Sequence, residues 1–341
     1  NCLIISILSG ILFGLKNKNK VLFQSKEIII ETIDRAKDII GFEKACRVFQ
    51  ISYSKYYSWK NKCKSSVINI CRKLNPAQLS IREINTLKKY CSDTNLLNWS
   101  LSSIFYKMLR DKAAFMSLNT FYKYVNIMKL NRNKPENRRK KHSIGIRANH
   151  AKEILHADLT IFRTISNTKV YIYIVADNFS RFILSATASL EYSAKIAFQN
   201  LKNAYERFNL AEYESIDLIV DDGCENKAEV DNFTTKVNMN KLVAQKDIKF
   251  SNSMIEAVNK TIKYDFLFTK ELIDFEHTKS YLEIAVNQYN NKPYHPLHGL
   301  TPKEVFEGQI PDKDLFKSEL LIAKKQRIVE NRKNLCENHN K

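Results

Sequence analysis

The sequence predicts an α/β domain preceded by all-α units. Three observations carry that reading. Residues 27–63 and 99–130 have helical apolar spacing. From residue 153 the pattern changes to alternation and short apolar runs, which suit strands. Between the two regions, residues 129–147 hold eight Lys/Arg against one Glu and lose all apolar periodicity.

The first helical region reads as helix, tight turn, helix. In GFEKACRVFQISYSKYYSWKNK, Ala45, Val48 and Phe49 lie on one face, and Ile51 closes a turn in which Gln50 stands where Gly is common. Ser52 or Ser54 can cap a second helix bearing Tyr56, Tyr57 and Trp59. A basic second helix suits helix-turn-helix over residues 27–64, with Ser54 and Lys55 facing DNA. A plain helical hairpin is the competing reading.

A second helical unit spans 76–130 and splits at Ala113–Ser117. Ser117 suits an N-cap for a helix carrying Phe121, Tyr122, Val125 and Met128, with Lys123 on its surface. The basic linker, residues 131–150, follows. Arg138, Arg139, Lys140 and Lys141 are its candidate phosphate contacts; a solvated run is the alternative.

The α/β region, residues 151–306, begins with the strand EILHADLTIF. TKVYIYIVADNFSRFILSATASL reads as a hairpin: Val170–Ala176, a turn at Asp177–Ser180, then Phe182–Ala188. An amphipathic helix covers 193–208, and SIDLIVDDG is an apolar strand ending in acids. Further helices are expected at about 226–236, 254–268 and 278–291. A basic tail is expected over 307–341.

Charge and cysteines narrow the function. A net charge of +19 favours a polyanionic partner, above all nucleic acid. The seven scattered cysteines form no CxxC pair and read as reduced thiols. Leu3–Leu15 is apolar but short for a membrane span, and its charges follow it, unlike a secretory signal. Residues 1–26 read as a fragment boundary or read-through, with a membrane anchor as the lesser reading. No stable membrane partner is expected.

Four acids stand where a carboxylate is costly or well placed. Asp158 is mid-strand in HADLT; Asp221 and Asp222 end a strand; Glu256 lies on a helix in SNSMIEAVNKTIKYDF. Sixty-two residues separate Asp158 from Asp221, and thirty-four separate Asp221 from Glu256. Converging carboxylates repel without a cation, and hard oxygen donors suit Mg²⁺ or Mn²⁺. Two such ions can serve both the attacking and the leaving oxygen of a phosphodiester. Asp177 in DNFS reads as a turn residue, and His156 as non-catalytic. Lys260 and Lys263, four and seven residues after Glu256, share its helical face, suiting either DNA phosphates or solvent.

HADLT, VYIYIVADNFSRFILSATAS, VDDGCEN and SNSMIEAVNKTIK together resemble the catalytic core of the DDE transposase and retroviral-integrase superfamily. The resemblance is strongest to IS-three-type insertion-sequence transposases, and YNNKPYHPLHGLTPKEVF (289–306) resembles their ending. It spans roughly residues 30–306. Leu155 stands in place of a usual Trp, and the spacing from Asp221 to Glu256 is one residue short of the usual thirty-five. The resemblance implies an RNase H-like core, a mixed five-stranded sheet with flanking helices. It implies Asp158, Asp221 and Glu256 as catalytic residues and metal ligands, and Mg²⁺ or Mn²⁺, two ions, as cofactor. The implied activity is cleavage and strand transfer of double-stranded DNA, with element terminal repeats and target DNA as partners. A homo-oligomer on DNA in a bacterial cytoplasm, associated with the nucleoid, is the implied setting. A DNA-binding regulatory or residual protein with an inactive core is the alternative.

Overall fold

The computed structural model describes residues 21–64, 76–130, 145–250 and 252–337. Of the leader reading for residues 1–26, residues 1–20 fall outside them, as does the phosphate-contact reading for Arg138, Arg139, Lys140 and Lys141; residues 21–26 begin the first helix. The chain divides into two compact units, at Asn75 and Pro76.

The first unit contains three helices: α1 (Val21–Ile40), α2 (Phe42–Val48) and α3 (Tyr53–Lys64). Ile30, Ile33, Ala45, Cys46 and Tyr56 form its core. The α2–α3 turn bends at Gln50, whose φ of 51° is left-handed. Ser52 provides the cap, accepting from the Lys55 N–H at 3.3 Å. The expected apolar face is altered: Ala45 is buried together with Cys46, while Val48 is exposed. Asp34 on α1 accepts from the Tyr56 hydroxyl at 2.5 Å and from Lys60 Nζ at 2.6 Å, which locks α3 onto α1.

The second unit begins with α4 (Ile81–Cys91), α5 (Leu101–Arg110) and α6 (Leu118–Ile127). Ser80, Ser100 and Ser117 each cap the helix that follows. Leu87, Ile104, Met108, Phe121 and Val125 fill the space between the helices. Tyr122, expected among the apolar positions of α6, is exposed. Tyr124 turns inward instead, its hydroxyl accepting from the Leu79 N–H at 3.1 Å.

The sheet strands are β1 (Ile154–Arg163), β2 (Lys169–Asp177), β3 (Ile183–Ser189), β4 (Ile216–Val220) and β5 (Met239–Val243), in the spatial order β3-β2-β1-β4-β5. β1, β2 and β3 form an antiparallel meander; β4 and β5 run parallel to β1. This is the expected RNase H-like arrangement. Helices α7 (Ala194–Arg207) and α8 (Glu229–Thr234) cover one face over Leu155, Val175, Leu184 and Leu218. Helices α9 (Ser253–Thr261) and α10 (Phe275–Asn290) cover the other over Phe162, Ile172, Ile174 and Ile183. The short α11 (Pro302–Phe306) follows, with Phe306 stacked on Phe182.

The expected tail differs most. Residues Lys317–Glu337 form a helix, α12, that returns to the 76–130 segment. Arg327, 7% exposed, donates to both carboxylate oxygens of Glu83 on α4, at 2.8 and 2.5 Å, and to the Phe115 carbonyl at 2.7 Å. The Asn331 amide donates to the carbonyls of Pro76 and Gln78. A second tie comes from α5. Arg110 pairs with both oxygens of Glu304 and donates to the Gly299 carbonyl. Gly299 has a φ of +98°, and a Cβ there would overlap the Tyr106 ring. The 76–130 segment therefore belongs to the same compact unit as the sheet, rather than standing apart.

Removing one partner of a buried ion pair strands the other charge. Arg327→Ala is expected to destabilise this unit by about 3 kcal/mol, read as a lowered midpoint in urea unfolding; an unchanged midpoint would count against α12 as a docked element.

Candidate active site

The sheet register builds the site. β1 and β4 pair in parallel with Ile154 opposite Asp217, Leu155 opposite Leu218 and His156 opposite Ile219. Carrying that offset two residues further sets Asp158 opposite Asp221, just past the end of β4. Asp158 is paired across β2 with Ile174, so its side chain lies on the sheet face that α9 covers.

Burial and charge then act on Asp158. Its carboxyl is pushed up to about 7, first by burial and next by the neighbouring Asp221 charge, with Glu225 adding a smaller effect. Two donors oppose the rise: the Leu159 N–H at 2.8 Å and the Asn259 amide at 2.7 Å. Asp222 has the other fate. It faces Lys227 at 3.0 Å and Lys246 at 3.6 Å on the surface, and the Lys227 hydrogen bond holds its carboxyl below the ordinary range. Of the two adjacent acids, Asp221 is the one beside Asp158.

Glu256 is exposed in the first turn of α9. Asn259, three residues on, is the α9 residue that touches Asp158, and its Oδ1 is buried without a hydrogen-bond partner. Among the described residues, no three Asp, Glu, His or Cys side chains converge in a group able to hold a metal ion. Asp158 and Asp221 are brought together; Glu256 is carried on the adjoining helix without closing such a group. In kind, the donors suit a hard divalent cation. They are carboxylate oxygens, and the half-buried Asp158 lies among like charges with no cationic partner among the described residues.

Two neighbours escape the sequence reading. Asn259 is accessible from spacing alone, one turn after Glu256. Glu225 is 9% exposed and accepts a hydrogen bond from the Tyr192 hydroxyl. A Cβ at Gly223 would overlap the Glu225 carboxylate, so the glycine after the two acids makes room for a third.

A buried polar chain fixes where α9 starts. The Asn178 side chain accepts from the Ala148 N–H at 2.8 Å and donates to the Ile146 carbonyl at 3.2 Å, which sets its orientation. Its amide must then donate to His156 Nε2, at 2.8 Å. His156 is thereby neutral with its proton on Nδ1, which donates to Asn252 Oδ1 at 2.6 Å. The Asn252 amide donates to the Ala157 carbonyl at 3.3 Å, and α9 begins at the next residue. Burial holds His156 down at about 4. Asp177 is structural, accepting from the Lys152 N–H and from the Ser180 N–H and hydroxyl.

The candidate DNA contacts lie on both units. Ser54 and Lys55 are exposed on α3, and Lys123 is exposed on α6. Lys260 is exposed on α9, but Lys263 is half-buried in a π-helical turn, Ile262–Phe266, that interrupts the regular face shared with Glu256. Among the described residues, no helix is long and apolar enough to cross a membrane.

No family model matches the chain, and no curated protein matches it. Solved structures similar to it include a simian T-cell lymphotropic virus intasome in complex with PP2A regulatory subunit B56 gamma. That likeness has 18% identity over 61% of this chain and 77% of that one, with a TM-score of 0.41. The HTLV-2 integrase catalytic core domain in complex with magnesium is 14% identical over 47% of this chain and 99% of that one, TM-score 0.36. The catalytic core domain of BIV integrase is 18% identical over 46% and 94%, TM-score 0.36. At identities this low, function is read from the chain's own residues.

Two pH effects are expected in metal-free buffer. His156 binds its proton less readily folded than unfolded, so its contribution is full above its ordinary 6.5 and is lost as pH falls toward 4. The melting midpoint of the wild type should fall between pH 6.5 and 5 more steeply than that of His156→Gln. Equal slopes would place His156 outside the network. Asp158 has the opposite sign: its folded value is raised, so stability is lost as pH rises through about 7. Asp158→Asn should melt a few degrees higher than wild type at pH 8; a lower midpoint would contradict the buried-charge assignment.

Proposed function

We propose that the chain is a DNA transposase of the integrase superfamily, most like IS-three-type enzymes. The observation that carries this reading is the nearness of Asp158 on β1 to Asp221, just past the end of the parallel β4, beside a helix bearing Glu256. The net charge of +19 supports a DNA partner. Asp158 and Asp221 are the first candidates to hold Mg²⁺ or Mn²⁺, with two ions and Glu256 completing the set on DNA. The bound cation would neutralise the acids and the charge that builds on phosphodiester oxygens.

The remaining roles belong to the chain itself. Asn259 orients the Asp158 carboxylate, and the His156–Asn252 hydrogen bond holds the start of the Glu256 helix. Lys260, on the surface of that helix, takes a phosphate. The first unit binds terminal repeats through Ser54 and Lys55 on α3; Lys123 and the basic segment at Arg138–Lys141 follow the backbone. In the first reaction water attacks a phosphodiester at the element end, the P–O bond to the 3′ oxygen breaks, and a free 3′-OH is left. In the second, that hydroxyl attacks a target phosphodiester, forming one P–O bond and breaking another. Two ends must be held together, which calls for a homo-oligomer on DNA.

The rival reading is a DNA-binding protein with an inactive core, favoured by the exposed position of Glu256. Labelled duplexes carrying the element ends separate the two when incubated with Mg²⁺, Mn²⁺ or EDTA. Metal-dependent nicking should be reduced at least a hundredfold in Asp158→Asn and Glu256→Gln. Binding without nicking in either metal would establish the rival.

A further inference from the structure

A cleft of about 400 Å³ lies beside α9, around the helix from Glu256. Its walls include Arg147, Arg181, Ser253, Met254, Ala257 and Tyr294. Ala257 directly follows Glu256, so the cleft and the acid occupy adjoining faces of one helix. Arg181 projects from the β2–β3 turn with a left-handed φ of 65°. Among the described residues, neither guanidinium has a hydrogen bond or a carboxylate within ion-pair distance, and the Tyr294 hydroxyl is also without a partner. Burial, and to a smaller degree the nearby Arg147 charge, hold Arg181 below the usual arginine range. Two like charges facing one cleft repel unless an anion lies between them. The first turn of α9, at Ser253 and Met254, adds the positive end of a nine-residue helix to the same wall.

We propose that this cleft binds a backbone phosphate of the DNA strand, one or more nucleotides from the phosphodiester held at Asp158 and Asp221. This rests on the DNA-processing reading above and adds a site to it. Guanidinium forks match phosphate geometry, and the Tyr294 hydroxyl supplies a further donor. The volume exceeds what one small anion fills, which suits a phosphate arriving with its sugar. Arg147 and Arg181 are thus positioning residues that set the strand's register on the acids.

The test measures duplex binding by the full chain against salt concentration. Each phosphate contact contributes about 0.9 to the log–log slope. Arg147→Gln and Arg181→Gln should each lower the slope by about one and weaken binding roughly five- to tenfold at moderate salt. Wild-type binding with slopes unchanged in both variants would overturn the cleft and leave the transposase reading standing. No duplex binding by the wild type would remove both. Thermal melts accompany each variant; should Arg181→Gln fail to fold, the exposed Arg147 decides alone. Pyrophosphate is the small-anion arm. If it raises the melting midpoint only when both arginines are present, while the DNA slopes stay equal, the site serves a free anion and the proposal is wrong.

Discussion

The uncompensated charge on two neighbouring strands is the constraint around which the second unit is arranged. A parallel ladder between β1 and β4 has no freedom to separate Asp158 from Asp221 without shifting every apolar pair behind them. Leu155 opposite Leu218 and His156 opposite Ile219 are buried on their respective faces, and a one-residue slip would exchange those faces. The core thus enforces a repulsion that the carboxylates alone would avoid. The neighbourhood answers with neutral donors, Asn259 and the Leu159 amide, rather than with a cationic side chain among the described residues.

The helix that carries Glu256 is held separately from this pair. Its start is set by an amide–imidazole–amide chain reaching back through Asn178 to the backbone at residues 146 and 148. Every polar atom in that chain has one compatible role, so the imidazole tautomer follows from the backbone. A buried polar network of this kind fixes position more than it adds stability.

Much of the scaffold is legible in the amino-acid sequence. Alternation in HADLTI marks β1, and short apolar runs mark the β2–β3 hairpin and β4. β5 is hidden, because Met239–Val243 is a short edge strand carrying Asn and Lys among its few apolar residues. Helix α12 is hidden too: it docks through Arg327 and Asn331, polar side chains that resemble a solvated tail until Glu83 is in view. At the site, Asp158 and Asp221 are visible as acids at strand positions. Glu225 is not, since its burial depends on the space left by Gly223 and on Tyr192, thirty-three residues away. The shared face of Glu256 and Lys263 fails where the helix widens into a π turn, a change with no periodic signature.

The α12–α4 contact also has a consequence for biosynthesis. Glu83 leaves the ribosome about 240 residues before the arginine that neutralises it. The segment around α4 therefore waits, with a capped helix and a half-buried acid, until nearly the whole chain has been made. A product that terminates before Arg327 leaves Glu83 with its capping-box bond from the Ser80 N–H and without its guanidinium.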